Sequence, residues 1–230
     1  LGKAIGIVAV SHHGSSLCYR ALAERASQIQ DRDRRPTVMV HNLPLANYLD
    51  AIHADDWTTV GTLLAQSSAA LADAGADFCI LPDNLSQHAA HFAEQSSPIP
   101  WLSMIRLVAD AVAGDAMKTV GIVGTKTVMN GSIYQSMLGL QGVSLLPPTP
   151  EDMVAIDHII FNELIFGDVS STSRDRLLQA VDGLAGQGCE GVIFGSTELP
   201  LLLAPDDCPL RAYDPVDLLV QGAMALAMAE

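Results

Sequence analysis

The chain is short of positive charge. Its 230 residues carry 12 Lys+Arg against 26 Asp+Glu, a formal net charge of −14, and the one basic cluster is Arg32-Asp33-Arg34-Arg35. That short run, with an acid inside it, reads as a solvated helix end. A chain without a basic face has nothing to lay along a phosphate backbone, so nucleic acid is not an expected partner. No apolar run approaches the ~20 residues of a membrane helix, so no membrane partner is expected either. The sequence enters a strand pattern at once with no secretory signal, and the expected compartment is the cytoplasm. Cysteine is also scarce: Cys18, Cys79, Cys189 and Cys208 form neither CxxC nor a Cys/His ligand spacing. They are expected to be reduced packing residues. His88 and His91 are spaced to share a helical face, but no third ligand lies near them, so no metal site is expected.

What the chain has in quantity is apolar side chains, 49% of all residues, enough for one large domain or two small ones. They fall into an alternation of strands and helices. Residues 3–10 read as a strand and Ser11-His12-His13-Gly14-Ser15-Ser16 as a turn, with Ser15 or Ser16 capping a helix over 17–30. Residues 35–42 read as a second strand, 43–57 as a loop, and 58–74 as a helix stopped at Gly75. A third strand over 77–81 ends in Pro82-Asp83-Asn84. Residues 85–95 are predicted helical, a short fourth strand begins at 98–101, and 105–113 is helical again. The pattern then restarts at Lys118. The stretch Cys189-Glu190-Gly191-Val192-Ile193-Phe194-Gly195-Ser196-Thr197-Glu198 reads as a buried parallel strand that turns sharply at Gly195 and feeds a helix.

The restart is a repeat. Lys118-Thr-Val-Gly-Ile-Val-Gly mirrors Lys3-Ala-Ile-Gly-Ile-Val-Ala at an offset of 115, and Leu184-Ala-Gly-Gln-Gly188 mirrors Leu71-Ala-Asp-Ala-Gly75 at 113. The predicted fold is therefore α/β, two pseudo-symmetric, doubly wound parallel-sheet lobes over 1–114 and 115–230, with the last residues free to cross to the other lobe. The offset of 113 carries Asp83 onto Ser196. Each follows an apolar strand, and the carboxyl ends of such strands are where open α/β sheets bind ligands. If the lobes face one another, these side chains flank one cleft, the arrangement that taking a proton from one face of a carbon and returning one to the other requires.

These residues resemble the aspartate/glutamate/hydantoin racemase superfamily, which works without pyridoxal phosphate. The segment 191–203, Gly-Val-Ile-Phe-Gly-Ser-Thr-Glu-Leu-Pro-Leu-Leu-Leu, is similar to the family's G-C-T-E-I-P-L-L. Residues 120–129 are similar to its V-G-L-L-G-T-x-x-T-M, 161–167 to its I-x-x-E-L-x-x-G helix, 15–20 to its S/T-x-x-Y-Y-R, and 82–84 stand where it has C-N-T. The resemblance implies two α/β lobes with a small carboxylate substrate, an amino acid or related acid, held between them. It implies no cofactor, and a homodimer or higher homo-oligomer. It also implies an acid/base pair of cysteines, and this chain has Asp83 and Ser196 at those positions. No arginine lies between His41 and Trp57, where the aspartate/glutamate branch grips a side-chain carboxylate.

On this reading the candidate catalytic residues are Asp83 and Ser196, and the candidate substrate-binding residues are Ser11, Asn84, Thr125, Lys126, Thr127, Thr197 and Glu198. Each has a plainer alternative. Asp83 suits a general acid or base, and equally an N-cap for the helix after it. Asn84 suits a carboxylate donor or a turn. Ser196 is a weak proton-transfer group by itself, and Glu198 either orients a neighbour or favours a first helical turn. His12 and His13 are a reserve source of an imidazole base. The expected activity is racemase-type proton transfer beside a carboxylate. The rival readings are a decarboxylase or cis–trans isomerase on the same scaffold, and a carboxylate-binding protein without turnover.

Overall fold

The computed structural model describes residues 2–229. They divide into two units, one of residues up to Met104 together with those from Leu219 onward, the other Ile105–Leu218.

In the first unit β1 (Ile5–Ala9), α1 (His12–Ser27), β2 (Val38–Asn42), α2 (Leu45–His53), α3 (Trp57–Asp73), β3 (Phe78–Ile80), α4 (Gln87–Ser96) and β4 (Trp101–Leu102) follow in order. The strands form one parallel sheet in the order β2-β1-β3-β4. β1 and β3 are wholly buried, as central strands of a sheet covered on both faces must be, which is why they are continuous apolar runs. Val8, Tyr48, Val60, Leu64, Leu71 and Cys79 belong to a single core cluster.

The second unit opens with α5 (Met104–Gly114), then β5 (Thr119–Gly124), α6 (Lys126–Asn130), α7 (Ser132–Leu140), β6 (Ser144–Leu146), α8 (Pro150–Asn162), α9 (Ser171–Gly186), β7 (Gly191–Gly195) and β8 (Arg211–Tyr213); the closing helix α10 (Pro215–Met228) starts in it and belongs to the first unit from Leu219 onward. Its sheet is again parallel, in the order β6-β5-β7-β8. Its core gathers Val123, Ile156, Ile160, Leu177, Leu184, Val192 and Phe194.

The two sheets repeat each other down to register. Ile5 pairs with Phe78, and Val120 pairs with Gly191; these are the residues that the offsets of 115 and 113 exchange. A matching pair of acids holds the start of each central strand. Asp77 accepts the Ala4 N–H at 2.6 Å, and Glu190 accepts the N–H groups of Lys118 at 2.6 Å and Thr119 at 3.1 Å.

Several local expectations need correction. The helix after β1 starts at His12, and its cap is Ser11, whose Oγ accepts the Gly14 N–H at 2.9 Å; Ser15 and Ser16 lie inside the helix. The stretch over 43–57 is not a loop but contains α2, entered through Pro44 without a side-chain cap. The strand expected from Arg35 begins at Val38. The 161–167 motif is not one helix: α8 stops at Asn162, a 3-10 turn covers Leu164–Phe166, and Gly167 ends it at φ 84°, a conformation glycine adopts without penalty. After β7 no α-helix forms before β8; two 3-10 turns, Leu199–Leu201 and Pro205–Asp207, stand in its place. Pro205 holds Ala204 at φ −61°, ψ 142°, outside the helical region, as a proline does to its predecessor. The basic cluster does lie at a helix end: Arg35 donates to the carbonyls of Ser27 and Ile29 at the close of α1.

Candidate active site

In a parallel sheet of order 2-1-3-4 the chain leaves β1 towards one edge and returns through β3 towards the other. The loops after these two strands therefore diverge and leave a crevice at their carboxyl ends. In the first unit those loops carry Ser11, after β1, and Asp83-Asn84, after β3. In the second they carry Thr125-Lys126-Thr127, after β5, and Ser196-Thr197-Glu198, after β7.

At the first unit's switch point Ser11 is 8% exposed and Asn84 is 4% exposed, while Asp83 is half-buried. One Asp83 carboxylate oxygen accepts the Ser86 N–H at 2.7 Å, closing the turn that leads into α4. The Gln87 side-chain amide donates to the Leu81 carbonyl at 2.9 Å, and the Asn42 side-chain amide donates to the carbonyls of Ala9 and Val10 at 3.2 and 3.3 Å. The Asn42 bonds tie the carboxyl end of β2 to that of β1, and the Gln87 bond ties the start of α4 to the end of β3. His12 and His13 are exposed in the first turn of α1.

Sequence reasoning missed Tyr48 here. It lies fully buried on α2. Burial raises its phenol pKa, Ser67 partly offsets this, and the negative charge of Asp83 raises it further. The hydroxyl makes no regular hydrogen bond of its own, whereas Ser67, itself wholly buried, lies 3.1 Å from Nδ1 of His41. The signal available was the three-residue spacing of Tyr48 and Ala51, both buried on one side of α2.

The second unit's switch point is built more closely. Thr125 caps α6, its Oγ1 accepting the Val128 N–H at 3.4 Å, and is 5% exposed. Lys126 and Thr127 lie on the exposed side of the same short helix, and the Lys126 N–H donates to Asp157 at 2.7 Å. Ser196, Thr197 and Glu198 are 6%, 4% and 5% exposed. The Ser196 hydroxyl donates to Oε2 of Glu198 at 2.9 Å. Gly195 is needed here for room, not for an unusual backbone angle. A Cβ on it would stand 2.9 Å from Cγ1 of Val128 and 3.1 Å from the Val123 carbonyl oxygen, and its φ is not positive.

The structure therefore gathers Ser11, Asp83 and Asn84 at one strand end and Thr125, Ser196, Thr197 and Glu198 at the other, and leaves Lys126 and Thr127 on the outer side of α6. All four cysteines are free, and three are buried. Burial pushes the Cys79 thiol up to about 12 and raises that of Cys189 as well, which suits packing rather than chemistry. Among the described residues no group of three His, Cys, Asp or Glu is placed to hold a metal ion, and no helix is long and apolar enough to cross a membrane.

The fold recurs among known structures. The chain superposes on an Asp/Glu racemase candidate from Yersinia pestis with a TM-score of 0.88 at 24% identity, over 99% of this chain and 100% of that one. An aspartate racemase homologue from Pyrococcus horikoshii OT3 gives 0.83 at 23%, over 99% and 100%. A glutamate racemase from Francisella tularensis, solved with D-glutamate, gives 0.71 at 14%, over 98% and 81%. These likenesses establish the two-lobed fold. The family model for Asp/Glu/hydantoin racemase matches residues 5–223, and the chain belongs to that family.

Proposed function

We propose that the protein is a cofactor-independent, racemase-type isomerase that moves a proton at a carbon next to a carboxylate, in a cleft between its two units. Asp83 serves one face of that carbon and Ser196 the other. Asn84, Thr125 and Thr197 supply donors for the substrate carboxylate, Ser11 and Glu198 complete the polar lining, and Lys126 and Thr127 frame its outer edge. The substrate is an amino acid or related small acid, and the working form is a homodimer or higher homo-oligomer. One observation carries the reading: the two sheets share strand order and register, so Asp83 and Ser196 occupy the same place in two copies of one scaffold. Such a pair is what deprotonation on one face and reprotonation on the other calls for.

The test is Cα–H exchange in D2O with a panel of amino acids, hydroxy acids and hydantoins, followed by NMR and chiral chromatography. Exchange accompanied by inversion is expected for at least one member, and silence across the panel would sink the proposal. One observation favours a second reading. The two strand ends differ chemically, a carboxylate in one and a hydroxyl in the other, which suits one-sided chemistry such as decarboxylation or cis–trans isomerisation. Malonates and maleate belong in the panel for that reason, and product without stereoinversion would select it.

A further inference from the structure

The pair Ser196–Glu198 invites a sharper statement about the substrate, one that rests on the racemase-type reading above. A hydroxyl at a position where the family resemblance places a thiol cannot itself ionise near neutral pH, so it needs a base. The structure supplies one two residues away: the Ser196 hydroxyl donates to Oε2 of Glu198 at 2.9 Å. Serine and glutamate are 6% and 5% exposed, so the pair is largely shielded from water, and burial of a carboxylate demands such hydrogen bonds. In the other unit the position equivalent to Ser196 is Asp83, which carries a carboxyl group itself. This chain therefore brings carboxylates, not thiolates, to the two strand ends.

We propose that Ser196 and Glu198 act as one proton-transfer dyad opposed to Asp83, and that the substrate is a carbon acid whose C–H lies between a carboxylate and a second carbonyl group. Carboxylates are weaker bases than thiolates, and the driving force for proton transfer falls with base strength. A carboxylate pair is poorly matched to the Cα–H of a free amino acid. A second flanking carbonyl spreads the carbanion's charge over another oxygen and brings the C–H within reach. In the step, the substrate proton passes to Oγ of Ser196 while the serine's own proton passes to Oε2 of Glu198. The C–H electron pair moves onto the flanking carbonyl oxygen as an enolate. In this direction Asp83 first takes up a proton from solvent and then returns it to the opposite face, and the C–H bond re-forms. One proton leaves and one arrives. The pair finishes with Glu198 protonated and Asp83 ionised, the form that handles the other enantiomer.

The experiment compares 2-methylmalonate half-amide with alanine, aspartate and glutamate, following C–H exchange in D2O by NMR. The half-amide carries alanine's methyl and carboxylate with a carboxamide in place of the amine. It is expected to exchange faster than all three amino acids. Glu198→Gln is expected to lower that exchange by about 100-fold or more, within the span of general acid–base effects, while the half-amide still raises its Tm. Should Glu198→Gln not fold, Glu198→Asp carries the test, with partial activity expected. Ser196→Cys is expected to gain alanine exchange with a new alkaline limb near pH 8, about where a free thiol ionises. Amino-acid exchange as fast as the half-amide's overturns the substrate class and leaves the racemase-type reading standing. So does a folded Glu198→Gln within about twofold of wild type, for the dyad. No exchange with any of the four compounds overturns the substrate class, and silence of the hydroxy acids and hydantoins as well overturns the racemase-type reading.

Discussion

At the end of β3 the Asp83 carboxylate accepts the Ser86 N–H at 2.7 Å and the chain runs on into α4, Gln87–Ser96. At the end of β7 the Ser196 hydroxyl donates to Glu198 at 2.9 Å, and two 3-10 turns follow in place of an α-helix. The first end is half-open around its acid, and the second is closed, with Ser196, Thr197 and Glu198 all buried. Duplication supplied the same frame twice, and the chemistry diverged in the few residues past each strand. The frame is held by backbone pairing and buried apolar strands, which tolerate little change. The loops beyond are free to vary as long as their polar groups are paired, and this is where function concentrates.

The comparison can be broken first at the residue just before each polar end. Gly195→Ala would press a methyl against Val128 and the Val123 carbonyl, and is expected to destabilise the protein by about 1–3 kcal/mol, as overpacking does. The position 113 residues earlier is Pro82, and Pro82→Ala is expected to cost only about 0.4–1 kcal/mol through a looser unfolded chain. Urea unfolding of the two variants checks both. Equal losses would mean that the two ends are packed alike.

A smaller effect sharpens the likeness instead. Hydrogen bonds from the N–H groups of Lys118 and Thr119 hold the Glu190 carboxyl below its ordinary pKa. A group lowered in the folded state stabilises above its unfolded pKa and loses that contribution as pH falls through the folded value. Glu190→Gln should therefore be less stable than wild type near neutral pH, and the gap should close in acid, as read from Tm against pH. Because Glu190 is exposed to water the effect is expected to be small. A constant gap across pH would show that the carboxylate's charge plays no part.

Much of this frame was legible in the sequence because its causes are local. Buried parallel strands must be continuous apolar runs, so β1, β5 and β7 announced themselves, and the two offsets showed the repeat before any register was known. The misses have physical causes too. α2 starts at a proline with no Ser, Thr, Asp or Asn cap, so its ordinary start signal was absent and Tyr48 went unnoticed. His12-His13-Gly14-Ser15-Ser16 has the composition of a turn, yet Ser11 caps a helix there through the Gly14 N–H. The helix expected after Ser196 is a 3-10 turn that ends at Leu201, and Pro205 holds Ala204 outside the helical region beyond it. The Ser196–Glu198 bond depends on side-chain direction in an irregular turn, where no periodicity applies.

The central claim is that two equivalent strand ends serve opposite faces of one carbon. The measurement that tests it most directly uses Asp83→Asn with each enantiomer of a compound that the wild-type protein exchanges, following deuterium entry and inversion separately. The account predicts that one enantiomer still exchanges its proton, through the Ser196 side, and that neither inverts. Inversion of both enantiomers by Asp83→Asn at the wild-type rate would contradict it.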